Sequence, residues 1–508
     1  MISCKPAPKP FWDNAVDAYI FFVSSTLSGT ADKELFNTIN THATPSILDT
    51  CKDAQFKGDK DQCITISALY NGKPVQYILV GLGDTSTTKN RHAIREQLRR
   101  GLCSAINILK KRTIPTAVVS FPCASIFGVE ENELIKQMSI AAIMSDYEFS
   151  TFLNDKKNKR WNGTLLFAFD TSDQDLNKAF EKGIVIGNAT SLAREMDDLP
   201  GNIMTPLEVA AQAKKIAEAH NLSYTALNRQ NAQDLGMGGF CAVDEGSEKE
   251  GCIVILEYKP QKTNAPTICL VGKGITFDTG GVSLKPSQHM DGMKFDMSGA
   301  GAVIATMNII GALKPNVHVI AIAPIAENMP SGKAARQDDI VTFMNGKTAV
   351  IRSTDAEGRL ILADALCYAE KYYNPDIIID IATLTGACAY SLGHFYTGLM
   401  TPDDELATQL HSLGLLTGDK VWRLPMDDDF KAAIKSDVAD IANTGSSAYL
   451  AGTVTASHFL SNFVEKARWA HLDIAGTAHE VPGINYLGKG ATGAGIRLMT
   501  EFILSFNA

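Results

Sequence analysis

The sequence lacks the residue patterns of the commonest zinc proteins. Its 508 residues include ten cysteines and ten histidines, but no C-x-x-C pair and no H-E-x-x-H segment. Zinc-ribbon and zincin sites depend on those ligand spacings, so both classes of site are excluded.

Basic charge and long apolar runs are also scarce. Lysine and arginine total 47 against 56 acidic residues, which gives a formal net charge of −9. This balance argues against a broad nucleic-acid or anionic-membrane surface. The first apolar run, at 18–23, is short and follows two aspartates, and the runs at 317–326 and 377–384 are too short to cross a bilayer. We therefore expect a cytoplasmic protein with reduced thiols, no membrane segment and no nucleic-acid partner.

The composition is that of an ordinary globular chain, with 45% hydrophobic and 20% charged residues. In the first part of the chain, short apolar runs alternate with stretches in which apolar residues recur at helical intervals, for example at 92–110. This pattern is typical of an α/β domain. Apolar residues recur at helical intervals over 175–196. This pattern stops at 199–202 and starts again after Thr205, a candidate helix cap. We predict an N-terminal α/β domain at 1–174, a connecting helix at 175–198 and a larger C-terminal domain at 199–508.

The apolar runs of the C-terminal part show no alternation of polar and apolar residues. They lie at 253–256, 267–271, 317–323, 377–381 and 470–474. Such runs are typical of strands buried on both faces, so the fold class is α/β with a mixed, mainly parallel sheet flanked by helices. Ligands of these sheets bind beyond the carboxyl ends of the strands. The polar residues that follow the runs are therefore the candidate site.

Lys273 and Asp278 follow the run at 267–271, in the glycine-rich stretch 272–281. This stretch has no Gly-Lys-Ser/Thr ending of a phosphate loop, and Phe277 stands where a dinucleotide fingerprint has its third glycine. A buried lysine needs a charged partner or must be neutral. Lys273 is therefore either an ion-pair partner or a metal ligand.

Three further carboxylates lie in two later segments. Asp296 precedes a helical stretch, where a helix cap is the simplest interpretation. Asp355, Glu357 and Arg359 crowd one strand-to-helix turn, where a single capping carboxylate would have been enough. Together with Lys273 and Asp278, these carboxylates are the donors that a pair of divalent cations requires. Two such cations activate a water nucleophile and polarise the oxygen under attack.

Taken together, these segments resemble the leucine aminopeptidase (cytosol aminopeptidase) family of two-metal exopeptidases. The stretches VGKGITFDTGG at 271–281 and TDAEGRL at 354–360 are similar to the two signature stretches of that family. Further similar segments follow in the family's order, at 291–300, 382–387, 469–476 and 490–497. The resemblance extends from about residue 199 to the C-terminus and is only topological before it.

The resemblance implies five metal ligands for two divalent ions per subunit, Mn²⁺ or Zn²⁺. Asp278 and Glu357 would each contact both metals. Lys273 and Asp296 would complete the tighter site, and Asp355 would complete the more exchangeable one. A site with these donors accepts several divalent metals, so the sequence does not select among them.

The resemblance also implies catalytic and substrate-binding residues. Lys285 would be the catalytic lysine, and Arg359 would hold a bicarbonate ion that serves as general base. The backbone near Thr383, Leu384 and Gly386 would bind the substrate main chain. Met293, with Thr383 and Gly386, would form an apolar pocket for the first side chain.

The implied function is hydrolysis of the N-terminal bond of peptide substrates, with a preference for leucine or other apolar residues, in intracellular peptide turnover. The family resemblance further implies a homohexamer. One alternative is a regulatory or DNA-binding protein on the same scaffold, which the lack of basic excess disfavours. Another is a two-metal phosphoesterase, which would usually recruit histidines that these segments lack. Thr279, Ser353 and Asp198 depart from the commonest family residues, but none is a predicted ligand.

Overall fold

The computed structural model describes residues 2–8, 16–25, 35–37, 39–41, 43–44, 46–85, 91–121, 124–154, 161–262 and 264–506. The chain forms two compact units. The first contains Met1–Ser191 and Gly483–Gly488, and the second contains Leu192–Pro482 and Lys489–Ala508. The division falls within a long helix, α4, which spans Gln174–Asp198.

The N-terminal unit is an α/β sheet. Its described strands are β1 Ser3–Ala7, β2 Ala18–Val23, β3 Ala43–Thr44, β4 Cys63–Tyr70, β5 Lys73–Gly81, β6 Thr116–Ser120 and β7 Thr164–Ala168. In the order β1-β7-β6-β2-β5-β4-β3, neighbours from β1 to β5 are parallel, and β4 is antiparallel to both of its neighbours. Its other described helices are α1 Ile47–Asp53, α2 Arg91–Arg112 and α3 Glu131–Asp146. Every residue of the central strand β2 is buried, as expected of an apolar run between two parallel neighbours.

The C-terminal unit contains a larger mixed sheet. Its strands are β8 Ser223–Asn228, β9 Cys252–Tyr258, β10 Thr267–Gly272, β11 Gly274–Asp278, β12 His318–Asn328, β15 Ile377–Ala382, β16 Thr397–Met400, β17 Val421–Arg423 and β19 Arg468–Asp473. The order is β17-β16-β19-β15-β10-β12-β9-β8, and β11 pairs with β12. The central strands β12, β10, β15 and β19 are parallel. A separate small sheet contains β13 Ile340–Thr342, β14 Thr348–Val350 and β18 Ile441–Ala442.

Helices cover both faces of the larger sheet. They are α5 Pro206–His220, α6 Arg229–Asp234, α7 Gly238–Asp244, α8 Ser298–Leu313, α9 Gly358–Tyr373, α10 Gly386–Leu392, α11 Asp404–Thr417, α12 Gly452–Leu460 and α13 Ile496–Leu504. Alternate residues of β10 point to opposite faces: Cys269 and Val271 share a core with α9 and α12, whereas Gly272 meets α8. The predicted α/β class with a mixed, mostly parallel sheet is confirmed.

Two helical features follow directly from the sequence. The Thr205 hydroxyl accepts a hydrogen bond from the Glu208 amide at the start of α5, with Pro206 at the first helical position. The helical stretch Met293–Leu313 is long and apolar enough to span a membrane by length and composition alone, but 83% of its apolar window is buried inside the fold. Such burial is typical of a core helix.

The candidate residues lie at one edge of the larger sheet. Lys273 directly follows β10, Asp278 ends β11, and Thr383 follows β15. Glu357 immediately precedes α9. Because the carboxyl ends of parallel strands meet at this edge, segments that are distant in sequence come together there.

Candidate metal centre

The backbone around Lys273 is clamped between a strand and a helix. The Lys273 amide donates to the Ile381 carbonyl of β15, and its carbonyl accepts from the Ala300 amide of α8. A Cβ atom at Gly272 would lie 2.3 Å from the Gly299 carbonyl oxygen. Only glycine therefore allows α8 to approach so closely at this point.

The Lys273 side chain is buried among predicted metal ligands. Its Nζ atom lies 2.8 Å from Asp296 Oδ1 and 2.8 Å from Glu357 Oε1, and it donates to the Thr383 carbonyl at 2.9 Å. Burial opposes the charge, but Asp296, Glu357 and Asp278 outweigh it and raise the pKa of Lys273 above its ordinary value. Lys273 is thus paired with Asp296 and Glu357 in the structure, and its role as a metal ligand stays a prediction.

Asp278, Asp296 and Glu357 form a buried carboxylate cluster. Each offers an oxygen within 4.8 Å of the others. Burial, reinforced by the neighbouring carboxylates, raises the pKa of Asp296 and of Glu357, although Lys273 lowers both. Among the described residues, Glu357 Oε2 is buried without a hydrogen-bond partner. Crowded carboxylates with a free buried oxygen fit a divalent cation, whose charge would offset their repulsion.

Asp278 is held at both of its oxygens. Oδ1 accepts from the Gly280 amide at 2.9 Å and from Asn328 Nδ2 at 2.8 Å, while Oδ2 lies 2.7 Å from Lys285 Nζ. Asn328 also donates to the Thr354 carbonyl at 3.1 Å, which ties β12 to the second signature segment. Asn328 was not predicted from the sequence. The available signal was its position at the end of an apolar strand, where the candidate site residues lie.

Lys285 and Asp355 lie on the open side of the cluster. The Lys285 ammonium contacts Asp355 Oδ1 as well as Asp278. The Asp355 side chain is 40% exposed, whereas Asp278, Asp296 and Glu357 are buried. Burial opposes the charge of Lys285, but Asp278 and Glu357 raise its pKa above the ordinary value.

Glycine is required at position 280, where the loop that follows β11 passes Asp355. Gly280 has a φ of +88°, and a Cβ atom there would meet Asp355 Oδ1 at 2.8 Å. Left-handed backbone of this kind disfavours residues with a side chain.

Arg359 occupies the first turn of α9 and is buried. Its Nη1 atom donates to the Asn443 carbonyl at 2.7 Å, and its Nε has no hydrogen-bond partner among the described residues. Burial lowers the pKa of Arg359 to about 10, and Glu357 and Asp473 oppose that shift. The guanidinium therefore stays protonated at neutral pH.

The predicted substrate-binding residues lie beside this cluster. The Thr383 hydroxyl donates to Asp296 Oδ1 at 2.7 Å, a contact that sequence reasoning missed. Gly386 is exposed, with open space where a Cβ atom would lie. Met293 begins the short 3₁₀ helix that carries Asp296 and is half-buried.

The structure thus brings five predicted ligands and Lys285 into one connected group. Lys273 and Lys285 bridge the carboxylates of Asp278, Asp296, Asp355 and Glu357. Arg359 follows this group on the same segment as Glu357. The roles assigned to the individual residues stay predictions.

Comparison with known proteins identifies relatives along most of the chain. The model of the cytosol aminopeptidase family catalytic domain matches residues 191–500, and that of the family's N-terminal domain matches residues 20–156. A probable cytosol aminopeptidase of Alkaliphilus oremlandii is 38% identical over 463 residues, covering 90% of this chain and 91% of the relative. One from Chlorobaculum tepidum is 38% identical over 468 residues, covering 89% and 90%.

A solved structure is similar over nearly the whole chain. It is the bottromycin maturation enzyme BotP in complex with Mn, with a TM-score of 0.84 and 28% sequence identity. The match covers 97% of this chain and 100% of that chain.

Proposed function

The chain belongs to the cytosol aminopeptidase family and is a metallo-exopeptidase, and from that premise we propose that it removes leucine or another apolar residue from the N-terminus of peptides. The observation that carries the proposal is the buried cluster of Asp278, Asp296 and Glu357, with a carboxylate oxygen free of hydrogen bonds. Hydrolysis of a peptide bond by a metal-activated water requires several anionic ligands to hold the metal ions.

The cluster and its neighbours would hold two divalent metal ions. Asp278 and Glu357 would be shared, Asp296 and Lys273, the latter as a neutral amine that has lost its proton, would complete one site, and Asp355 would complete the other. When bound, the two ions lower the pKa of a water molecule and polarise the peptide carbonyl. We propose manganese or zinc as the ions, and the Mn complex of the similar BotP structure supports manganese.

Lys285 and Arg359 would supply the remaining chemistry. The Lys285 ammonium lies on the open side of the cluster and stays protonated, so it can stabilise negative charge that develops on the carbonyl oxygen. Arg359 presents a planar guanidinium whose Nε is free of hydrogen bonds, which suits a bidentate anion such as bicarbonate. Arg359 would hold such an anion in place, and the anion would supply a general base for the reaction.

The substrate would lie along the segment after β15. The backbone at Leu384 and Gly386 would bind its main chain, and Met293 and Thr383 would line the pocket for its first side chain. Because the Thr383 hydroxyl is bonded to Asp296, this residue would present its methyl group to the pocket. The pocket would therefore be apolar and favour leucine.

We propose a cytoplasmic setting on the basis of the names of the relatives. They are named cytosol aminopeptidases, which supports a cytoplasmic role in peptide turnover. A homohexamer is proposed on the family resemblance alone. The net charge of −9 disfavours nucleic acid as a partner.

The proposal is tested with purified protein and added manganese or zinc. The wild type should release leucine from a leucyl chromogenic amide and carry two metal ions per chain. Asp355→Ala should lose the activity and at least one ion, whereas Asp339→Ala, which removes a surface carboxylate paired with Arg336, should keep both. Full activity of Asp355→Ala would overturn the site assignment.

A further inference from the structure

Asp473 is a buried carboxylate at the end of β19, outside the proposed catalytic group. Its side chain is 0% exposed. Oδ1 accepts from the Leu384 amide at 3.2 Å and from the Ala475 amide at 3.1 Å, and Oδ2 accepts from the Thr385 hydroxyl at 2.6 Å. A buried carboxylate is stable only when such donors replace water. Two of these three donors belong to the segment that follows β15.

The peptide unit between Thr383 and Leu384 is fixed at both of its ends. Its carbonyl oxygen accepts from Lys273 Nζ at 2.9 Å, and its N–H donates to Asp473 Oδ1 at 3.2 Å. In a trans peptide these two groups point in opposite directions. This unit therefore spans the gap between a lysine of the carboxylate cluster and the buried aspartate.

The next peptide unit takes its direction from the same aspartate. The Thr385 amide lies 3.5 Å from Asp473 Oδ1, and the Thr385 hydroxyl donates to Oδ2 of the same carboxylate. The amide therefore points towards Asp473. The Leu384 carbonyl, which is trans to that amide, consequently points away from Asp473. Within the described part of the chain the Leu384 carbonyl accepts no hydrogen bond, and Gly386, two residues further on, is exposed.

We propose that Asp473 is a positioning residue that aims the Leu384 carbonyl at the main chain of the substrate. This inference rests on the proposed function, in which the segment after β15 binds the peptide. Without the anchor, the Leu384 and Thr385 amides would lose their acceptor and both peptide units could rotate. The substrate would then bind more weakly, while the metal ligands would stay in place.

The same sheet offers a matched control in Asp380. This residue lies on β15 and is also 0% exposed. It accepts from Trp469 Nε1 at 2.7 Å and from His471 Nδ1 at 2.5 Å, so it joins β15 to β19. Among the described residues, its side chain makes no hydrogen bond to the segment at Leu384. Asp473→Asn and Asp380→Asn each replace one buried carboxylate by an amide of the same shape. A merely structural role predicts the same consequences for both variants.

The test compares these two variants in KM and in amide hydrogen exchange. Asp473→Asn should raise the KM for a leucyl peptide about tenfold, the effect of weakening one charge-assisted hydrogen bond. Metal content should be unchanged, and exchange at Leu384 and Thr385 should be faster. Asp380→Asn should leave KM and the exchange of those two amides unchanged. Equal KM values in the two variants, with an active wild type, would overturn the inference.

Thr385 provides a second pair of variants if Asp473→Asn does not fold. Thr385→Val keeps the shape but loses the hydroxyl, and Thr385→Ser keeps the hydroxyl. The KM of Thr385→Val should be higher than that of the wild type, and the KM of Thr385→Ser should equal it. A wild-type KM in Thr385→Val would contradict the inference. A wild type that releases no leucine would contradict the proposed function instead. Exchange at Leu384 would then decide whether Asp473 anchors the segment.

Discussion

Lys273 and Glu357 are joined by a buried ion pair, with 2.8 Å between Nζ and Oε1, and the other oxygen of that carboxylate has no hydrogen-bond partner among the described residues. Asp278 and Asp296 provide oxygens within 4.8 Å of Glu357. Lys273 and Lys285 together do not balance the four carboxylates of this group, so the arrangement favours additional cations.

Removing the charge of Glu357 should therefore remove metal. Glu357→Gln keeps the side-chain shape but provides a weaker ligand, so it should lose at least one ion and lower kcat/KM by about a hundredfold or more. Metal content after desalting and leucyl amide hydrolysis measure the two effects. Glu405→Gln, at a side chain that is 91% exposed, is the control and should match the wild type. Full metal content and activity in Glu357→Gln would show that Glu357 is not a ligand.

Arg359 should act on kcat and leave metal binding intact. Arg359→Lys retains a positive charge but loses the planar guanidinium, so kcat should fall about a hundredfold, the usual contribution of general acid–base catalysis. Arg352→Lys is the matched control because the Arg352 guanidinium donates to the Thr444 and Lys435 carbonyls and, among the described residues, forms no ion pair with the carboxylate cluster. Steady-state kinetics with metal analysis separate the effects. An unchanged kcat in Arg359→Lys would remove this residue from the mechanism.

Met293 should determine the preference for the first side chain. Met293→Ala would widen the proposed pocket, so kcat/KM for a leucyl substrate should fall about tenfold, as expected for lost apolar contact. A substrate with N-terminal phenylalanine should lose less, because its ring fills the added space. Met290→Ala, in the preceding turn, is the control. The same leucine-to-phenylalanine ratio in both variants would place the pocket elsewhere.

Asp364 should make the stability of the metal-free protein depend on pH. It accepts from the Phe240 and Met344 amides at 2.9 Å each, but burial outweighs these bonds and raises its pKa to about 7. Because the folded pKa lies above the unfolded one, its stabilisation is complete below about pH 4 and is lost as the pH rises through about 7. A shift of this size corresponds to at most about 4 kcal/mol.

Melting temperatures of the wild type and Asp364→Asn, measured in a chelator from pH 5 to 8, test this dependence. The advantage of the wild type should shrink as the pH rises. A constant difference between the two proteins would mean that Asp364 does not titrate in this range.

The fold class was predictable from the sequence because it depends on local pattern, and so was the meeting of the candidate site residues at the carboxyl ends of the strands. Unbroken apolar runs indicated the buried strands. The polar residues after them, such as Lys273 and Asp278, indicated the end of the sheet at which the candidate site lies. The strand order of the N-terminal sheet was not predictable, since it interleaves distant strands such as β1 and β7.

The residues missed by sequence reasoning act across the sheet. Asp473 contacts Leu384 over a separation of 89 residues, and Asn328 contacts Asp278 over 50. Such contacts depend on strand register, which apolar periodicity leaves open. The hydroxyl bond of Thr383 was missed for the same reason, because only the folded sheet brings it beside Asp296.

The central claim is that this chain removes single residues from a free N-terminus. The direct measurement is a mass-spectrometric time course with the metal-loaded wild type, a leucyl peptide and the same peptide with an acetylated N-terminus. We predict that leucine appears first from the free peptide, that the following residues are then released in order, and that the acetylated peptide stays intact. Cleavage of the acetylated peptide, or internal fragments without free leucine, would contradict the account.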